Sequence, residues 1–140
     1  LQPDDDENCQ VDLETKLLKE NLNEGESTQI NVSIKNTNKK TGQPMTIAIV
    51  GIPGGMEVRT EQLDEFVKQK RIDFYEVRGR DLCIYLVAMD KSQVVDVPVD
   101  VVAKIPGTYY GPASRVYLYY TDEEKKWNKP LKVNIEPIEN

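Results

Sequence analysis

The sequence predicts a mainly β protein, an antiparallel β-sandwich of about eight strands with one α-helix. Three observations carry this. Apolar residues recur with a period of two along most of the chain, clusters of Gly, Pro and Asn separate those runs at short intervals, and a single segment switches to helical spacing. A doubly wound α/β fold would need many more helical segments than the chain offers.

Residues 1–10 contain Asp4, Asp5, Asp6 and Glu7 with almost nothing apolar, and read as a flexible acidic linker ahead of one sandwich domain over 11–140. The spacing of an EF-hand calcium loop is missing there. Val11, Leu13 and Leu17 alternate with Asp12, Glu14 and Lys16, broken only by Thr15, and predict a half-buried strand. Ile30, Val32 and Ile34 alternate with polar neighbours in the same way. A third strand covers about Met45 to Val50 and stops at Ile52-Pro53-Gly54-Gly55, a turn.

Leu63, Phe66, Val67 and Lys70 then fall at i, i+3, i+4 and i+7, the face of an amphipathic helix. The spacing predicts a helix from about Thr60 to Gln69, with Thr60 as N-cap, Glu61 in the first turn, and Asp64 placed to pair with Lys68. Strand patterning returns over Phe74 to Arg78 and over Leu82 to Val87, the second run apolar on both faces and so central. Val95 to Ala103 is a long alternating strand, and Pro98 predicts that it lies at an edge or carries a bulge. Tyr109 and Tyr110 fall in a predicted loop bracketed by Ile105-Pro106-Gly107 and Gly111-Pro112. Val116 to Thr121 and Leu131 to Ile135 complete the strands, with Trp127 in the loop between them.

Composition excludes several functions. The net charge of −6 argues against nucleic acid as a partner. No apolar run reaches the roughly 18 residues of a membrane-spanning helix, so no membrane insertion is expected. Histidine is absent, which removes the commonest general base and the commonest metal ligand. Cys9 and Cys83 are too far apart for a CxxC motif, and their spacing leaves pairing and free thiols both open. No GxGxxG or P-loop is present, and no cofactor or metal is expected. An enzyme would have to be a carboxylate-based hydrolase, the weakest reading. The chain opens on Leu1 with nothing like a signal peptide, and reads as a segment of something longer.

The candidate partner-binding residues are Lys68, Lys70 and Arg71, the one concentration of positive charge on a predicted helix in an acidic chain. They suit either an acidic partner or a solvated helix end stabilised by the dipole. The tyrosines at 109–110 and 117–120 suit a binding platform or sandwich packing, and Trp127 suits a core cap or an interface anchor. Asn31-Val32-Ser33 is a glycosylation acceptor pattern on the polar face of its strand.

From Gly54 to Tyr120 the chain resembles the carboxy-terminal receptor-binding domain of the alpha-2-macroglobulin family. Gly54-Gly55-Met56 is similar to the family's step ahead of its helix, Leu63 to Arg71 fills the helix, and Tyr75-Glu76-Val77 resembles the start of the strand that follows. Leu82-Cys83-Ile84-Tyr85-Leu86 resembles its apolar-Tyr-Leu strand. Pro112-Ala113 and Val116-Tyr117-Leu118-Tyr119-Tyr120-Thr121-Asp122-Glu123 are similar to its most specific signature.

The resemblance implies a non-enzymatic interaction domain at the end of a protease trap, exposed on activation. Its expected partners are other domains of the parent chain and a protein receptor. Its expected location is extracellular, or periplasmic or cell-surface in a bacterium. The Cys-Gly-Glu-Gln thioester segment of such traps does not occur here. In the animal inhibitors two helix lysines meet a clearance receptor, and gapless alignment back from Tyr75 puts Thr60 and Asp64 at those positions. The chain also runs on past Glu124 into a further strand, which suggests a distant branch of the family. A stand-alone structural or adhesive cell-surface sandwich is the alternative.

Overall fold

The computed structural model describes residues 5–138. In chain order, β1 is Val11–Leu17, β2 Asn21–Asn23, β3 Ser27–Asn36, β4 Thr46–Gly51 and β5 Met56–Val58. The helix α1, Glu61–Lys68, leads to β6 (Phe74–Arg78), β7 (Asp81–Leu86) and β8 (Val94–Ala103). Then come β9 (Gly107–Tyr110), β10 (Ser114–Leu118), a 3-10 turn (Tyr119–Thr121), β11 (Lys125–Asn128) and β12 (Lys132–Glu136).

Two sheets make the sandwich, a four-stranded one ordered β1-β3-β8-β5 and a five-stranded one ordered β11-β10-β4-β7-β6, and a three-stranded sheet, β2-β12-β9, adds to them. All pairings are antiparallel except that of β12 with β2. The period-two runs become the buried layer between the sheets. Val11, Leu13, Ile30, Val32, Ile34, Val97 and Val99 face Ala48, Val50, Leu82, Ile84 and Val116 in one core. Burying such side chains contributes roughly 1.5–3 kcal/mol each. Val133 and Ile135 of β12 join that core, and Leu63 and Phe66 bring α1 onto it.

Thr15, the polar break in the β1 pattern, is held by β11: its N–H and its hydroxyl both donate to Asn128 Oδ1 at 3.0 Å. Asn128 Nδ2 in turn donates to the Leu13 carbonyl at 2.6 Å, so a hydrogen-bonded group joins the two sheets at a place where an apolar contact is missing. Residues 1–4 of the acidic segment lie outside the described residues. Beyond them, Asp5 Oδ1 accepts the Trp127 N–H at 2.7 Å, the Asp6 N–H donates to the Lys125 carbonyl at 2.9 Å, and Cys9 is buried.

Four short strands, β2, β5, β9 and β11, add to the eight expected. Tyr109 and Tyr110 lie in β9 rather than in a loop, paired with Val133 and Lys132. Trp127 lies in β11, paired with Arg115. The strand expected to reach Thr121 ends at Leu118, where the chain turns into the 3-10 segment. Pro98 sits on an interior strand, yet β5 pairs only with Val101, Val102 and Ala103. Around Pro98 itself β8 has a partner strand on one side alone, which is where a residue without an N–H is tolerated.

Candidate docking surfaces

The helix end carries the predicted cations. Thr60 takes the N-cap position, its carbonyl accepting the Asp64 N–H at 2.9 Å, but its side chain makes no capping bond. The other end closes as a Schellman motif: Arg71 N–H donates to the Phe66 carbonyl at 2.9 Å and Lys70 N–H to the Val67 carbonyl at 3.1 Å. Lys70 accordingly adopts φ +59, a left-handed conformation that suits glycine. Lys70→Gly should therefore stabilise the domain by about 0.5 to 1 kcal/mol, read as a rise in the urea midpoint at unchanged slope.

The three cations do not form one patch on one helix face. Arg71 lies past the helix, its guanidinium 4.8 Å from the Phe66 ring centre and its Nη1 3.3 Å from the Asp96 carbonyl of β8. It fastens α1 to the four-stranded sheet. Lys68 pairs at 3.6 Å with Glu65 rather than with Asp64. Asp64 instead accepts the Tyr75 hydroxyl at 2.5 Å. Lys68 and Lys70 remain exposed.

A second surface brings together Tyr117 and Trp127, which the sequence offers separately as a binding platform and an interface anchor. The outer face of the four-stranded sheet is polar, with cross-strand rows such as Glu14, Ser33 and Asp96, as expected where one side of an antiparallel sheet meets water. The outer face of the five-stranded sheet is not. One row across it runs Lys125, Tyr117, Ile47, Tyr85 and Phe74, and the next runs Trp127, Arg115, Ile49, Cys83 and Glu76. Ile47, Ile49 and Cys83 form a buried cluster separate from the main core, packed under Tyr85 and Tyr117.

The aromatic rings there hold the neighbouring cations. Lys125 Nζ stands 5.0 Å from the Tyr117 ring centre, the Arg115 guanidinium lies 5.5 Å from that of Trp127, and Phe74 meets Tyr85 at 5.5 Å. The sequence did hold a signal for this face. Strands apolar on both sides, Ile47 to Val50 and Leu82 to Leu86, have only one core to fill in a two-layer sandwich.

A groove of about 520 Å³ between β5 and β6 is lined by Ile52, Met56, Val58, Val77 and Ile105. It holds one carboxylate, Glu57, which pairs with Arg59 at 3.7 Å, so it lacks the pair of opposed carboxylates that acid–base hydrolysis uses. Both cysteines are free, Cys9 in the main core and Cys83 on the far side of the five-stranded sheet.

The family profile described as A-macroglobulin receptor binding domain matches residues 41–129. The chain belongs to that family. The fold is similar to part of the native alpha-2-macroglobulin of Escherichia coli (TM-score 0.73, 20% identity, 98% of this chain and 10% of that one). It is similar too to the same protein activated by porcine elastase (TM-score 0.75, 19% identity, 96% of this chain and 14% of that one). A third match is an E. coli fragment running from domain MG7 to the C-terminus (TM-score 0.74, 18% identity, 91% of this chain and 24% of that one). This chain thus spans a small fraction of the length of the proteins it resembles. No curated protein matches it in sequence.

Within this macroglobulin domain, the two positions that the family resemblance gives to receptor-reading lysines hold Thr60 and Asp64, and Asp64 is engaged by Tyr75. That bond, then burial, pushes the Tyr75 hydroxyl above the usual tyrosine range. Burial pushes up Tyr85, Tyr117, Cys9 and Cys83 as well. Each of the five keeps its proton more tightly folded than unfolded, so the unfolded chain releases it first as pH rises. Their stabilisation is complete below the ordinary thiol value of 9.0 and is lost as pH climbs through the raised folded values. Urea titrations should show a midpoint falling steadily above about pH 9, and Tyr75→Phe should flatten part of that fall.

Proposed function

We propose that this domain is the carboxy-terminal interaction module of a macroglobulin-like protease trap, carried outside the cytoplasm, docked on neighbouring domains and exposed when the trap is activated. The family match over residues 41–129 is the observation that carries this reading. Supporting it, the fold resembles the native and the elastase-activated E. coli proteins almost equally, at TM-scores of 0.73 and 0.75. A domain that keeps its fold through activation acts as a rigid body whose surfaces are covered or uncovered by rearrangement.

The module works by binding and not by chemistry on a substrate. Where a soluble partner meets it at the helix, Lys68, Lys70 and Arg71 are all exposed, but Arg71 is engaged with Phe66 and Asp96, which leaves Lys68 and Lys70 as the cations not tied to the sheet. Reversing the charge of Lys68 and Lys70 should weaken that binding and flatten its salt dependence. Unchanged binding would remove the helix end from the interface.

The complete reading frame tests the assignment most cheaply. A trap requires a long run of further sandwich domains, usually with a thioester segment, in the same polypeptide. A short frame holding this domain alone would favour the adhesive alternative.

A further inference from the structure

We propose that the outer face of the five-stranded sheet is the surface by which this domain docks on another domain of its own longer chain, one presenting an apolar centre bordered by acidic side chains. The inference rests on the trap reading above and adds the face and the chemistry of its occupant.

The physical argument starts from what an uncovered sheet face ought to look like. In the four-stranded sheet the outward positions are mostly polar, with rows Glu14-Ser33-Asp96 and Lys16-Asn31-Pro98. In the five-stranded sheet the corresponding positions hold Ile47, Ile49, Tyr85, Tyr117, Phe74 and Trp127. The same solvent cannot have shaped both faces. Trp, Tyr and Arg are the side chains that dominate binding energy at protein interfaces, and here they surround a small aliphatic centre. Phe74 is 57% exposed at one end of its row although it lies in a strand whose ring neighbour, Tyr85, is partly buried.

Charge selects the occupant. Glu76 is paired with Arg78 at 3.0 Å, whereas Arg115 and Lys125 make no ion pair among the described residues. The face thus has its negative groups, Glu76 and Asp81, beside Arg78 at one end, and Arg115 and Lys125 as cations without an ion pair at the β10–β11 end. A partner with carboxylates at its border would pair with Arg115 and Lys125 while covering the exposed Phe74 and the half-buried rings of Tyr85, Tyr117 and Trp127. A second copy would have to be recruited from solution and would bear the full cost of association. An adjoining domain in the same polypeptide needs less intrinsic affinity, because the tether supplies a high effective concentration.

The test is hydroxyl-radical footprinting of the full-length protein, intact and after activation by a protease. Tyr110, which lies off this face and is 65% exposed, serves as the internal reference. Tyr117 and Trp127 should be modified several-fold more slowly in the intact chain than in a full-length variant carrying Phe74→Glu and Lys125→Glu, with Tyr110 unchanged, and Phe74 of the intact chain should react several-fold more slowly than Tyr110. Both substituted side chains are partly or largely exposed, so the sheet itself should survive, as circular dichroism would confirm.

Equal rates in the intact protein and the variant, at a Phe74 rate matching Tyr110, would overturn the inference. Protection that disappears on dilution would overturn it too, in favour of a second copy. These outcomes leave the trap reading standing, since that reading fails instead on a reading frame without further domains.

Discussion

Asn36→Ala should lower the unfolding free energy by about 3 kcal/mol, summing roughly 1 kcal/mol for each of three broken bonds. Asn36 closes β3 and is wholly buried. Its Nδ2 donates to the Thr41 carbonyl at 3.0 Å and to the Asp90 carbonyl at 2.9 Å, and its Oδ1 accepts the Asn38 N–H at 2.9 Å. The side chain therefore joins the loop leading into β4 to the loop leaving β7, and so helps to set two central strands of the five-stranded sheet beside each other. Alanine leaves all three backbone groups without this partner in a place with little room for water. Asn36→Asp keeps the shape but replaces the donor with an acceptor facing two carbonyls, and should cost about as much at neutral pH. Chemical denaturation of the two variants checks this. A loss under about 1 kcal/mol in both would show that water replaces the side chain freely.

Gly51→Ala should cost about 3 kcal/mol or more, at or above the upper end for overpacking. Gly51 ends β4, and a Cβ built on it would lie 1.8 Å from the Pro112 carbonyl oxygen and 2.7 Å from its carbon. Those are backbone atoms, so no side-chain rotation relieves the clash. The Gly51 N–H also donates to Ser114 Oγ at 2.9 Å in a buried setting, which ties the end of β4 to the start of β10. Alanine must either push β10 away or break that bond, and either change disturbs the register that aligns Arg115 with Ile49. Thermal unfolding reads the loss of stability directly. A near-neutral result would mean that the segment from Gly111 to Ser114 moves aside easily.

The long strands were legible because a period of two over β1, β3 and β8, broken only at Thr15, fits a half-buried strand. The helix was legible for the matching reason, and its limits fall one residue inside those expected, with Thr60 and Gln69 as the flanking caps. The short strands were not. β2, Asn21–Asn23, has a single buried residue, and its strand character comes from pairing with β12, more than a hundred residues away. Tyr109 looked like a loop residue between Gly-Pro signals. It is a strand residue whose ring occupies the space left by Gly55, where a Cβ would approach it to 2.4 Å.

At the candidate surfaces the split is similar. The positions of Lys68, Lys70 and Arg71 at the helix end were readable, but their separate commitments were not, since those depend on Glu65, on the left-handed turn at Lys70, and on the β8 carbonyl of Asp96. The apolar outer face was present as strands greasy on both sides. What it lacked in sequence was the knowledge that the fold has only two main layers, so that one of those sides is left over.

On the proposed reading, this domain contributes contacts, and not chemistry, to a larger trap. The direct measurement is size-exclusion chromatography of the full-length protein mixed with a broad-specificity protease, with protease activity assayed across the column on a small peptide and on a whole protein. The protease should co-elute with the full-length chain, still cleave the peptide, and no longer cleave the protein. A protease that elutes free and fully active on both substrates would contradict it.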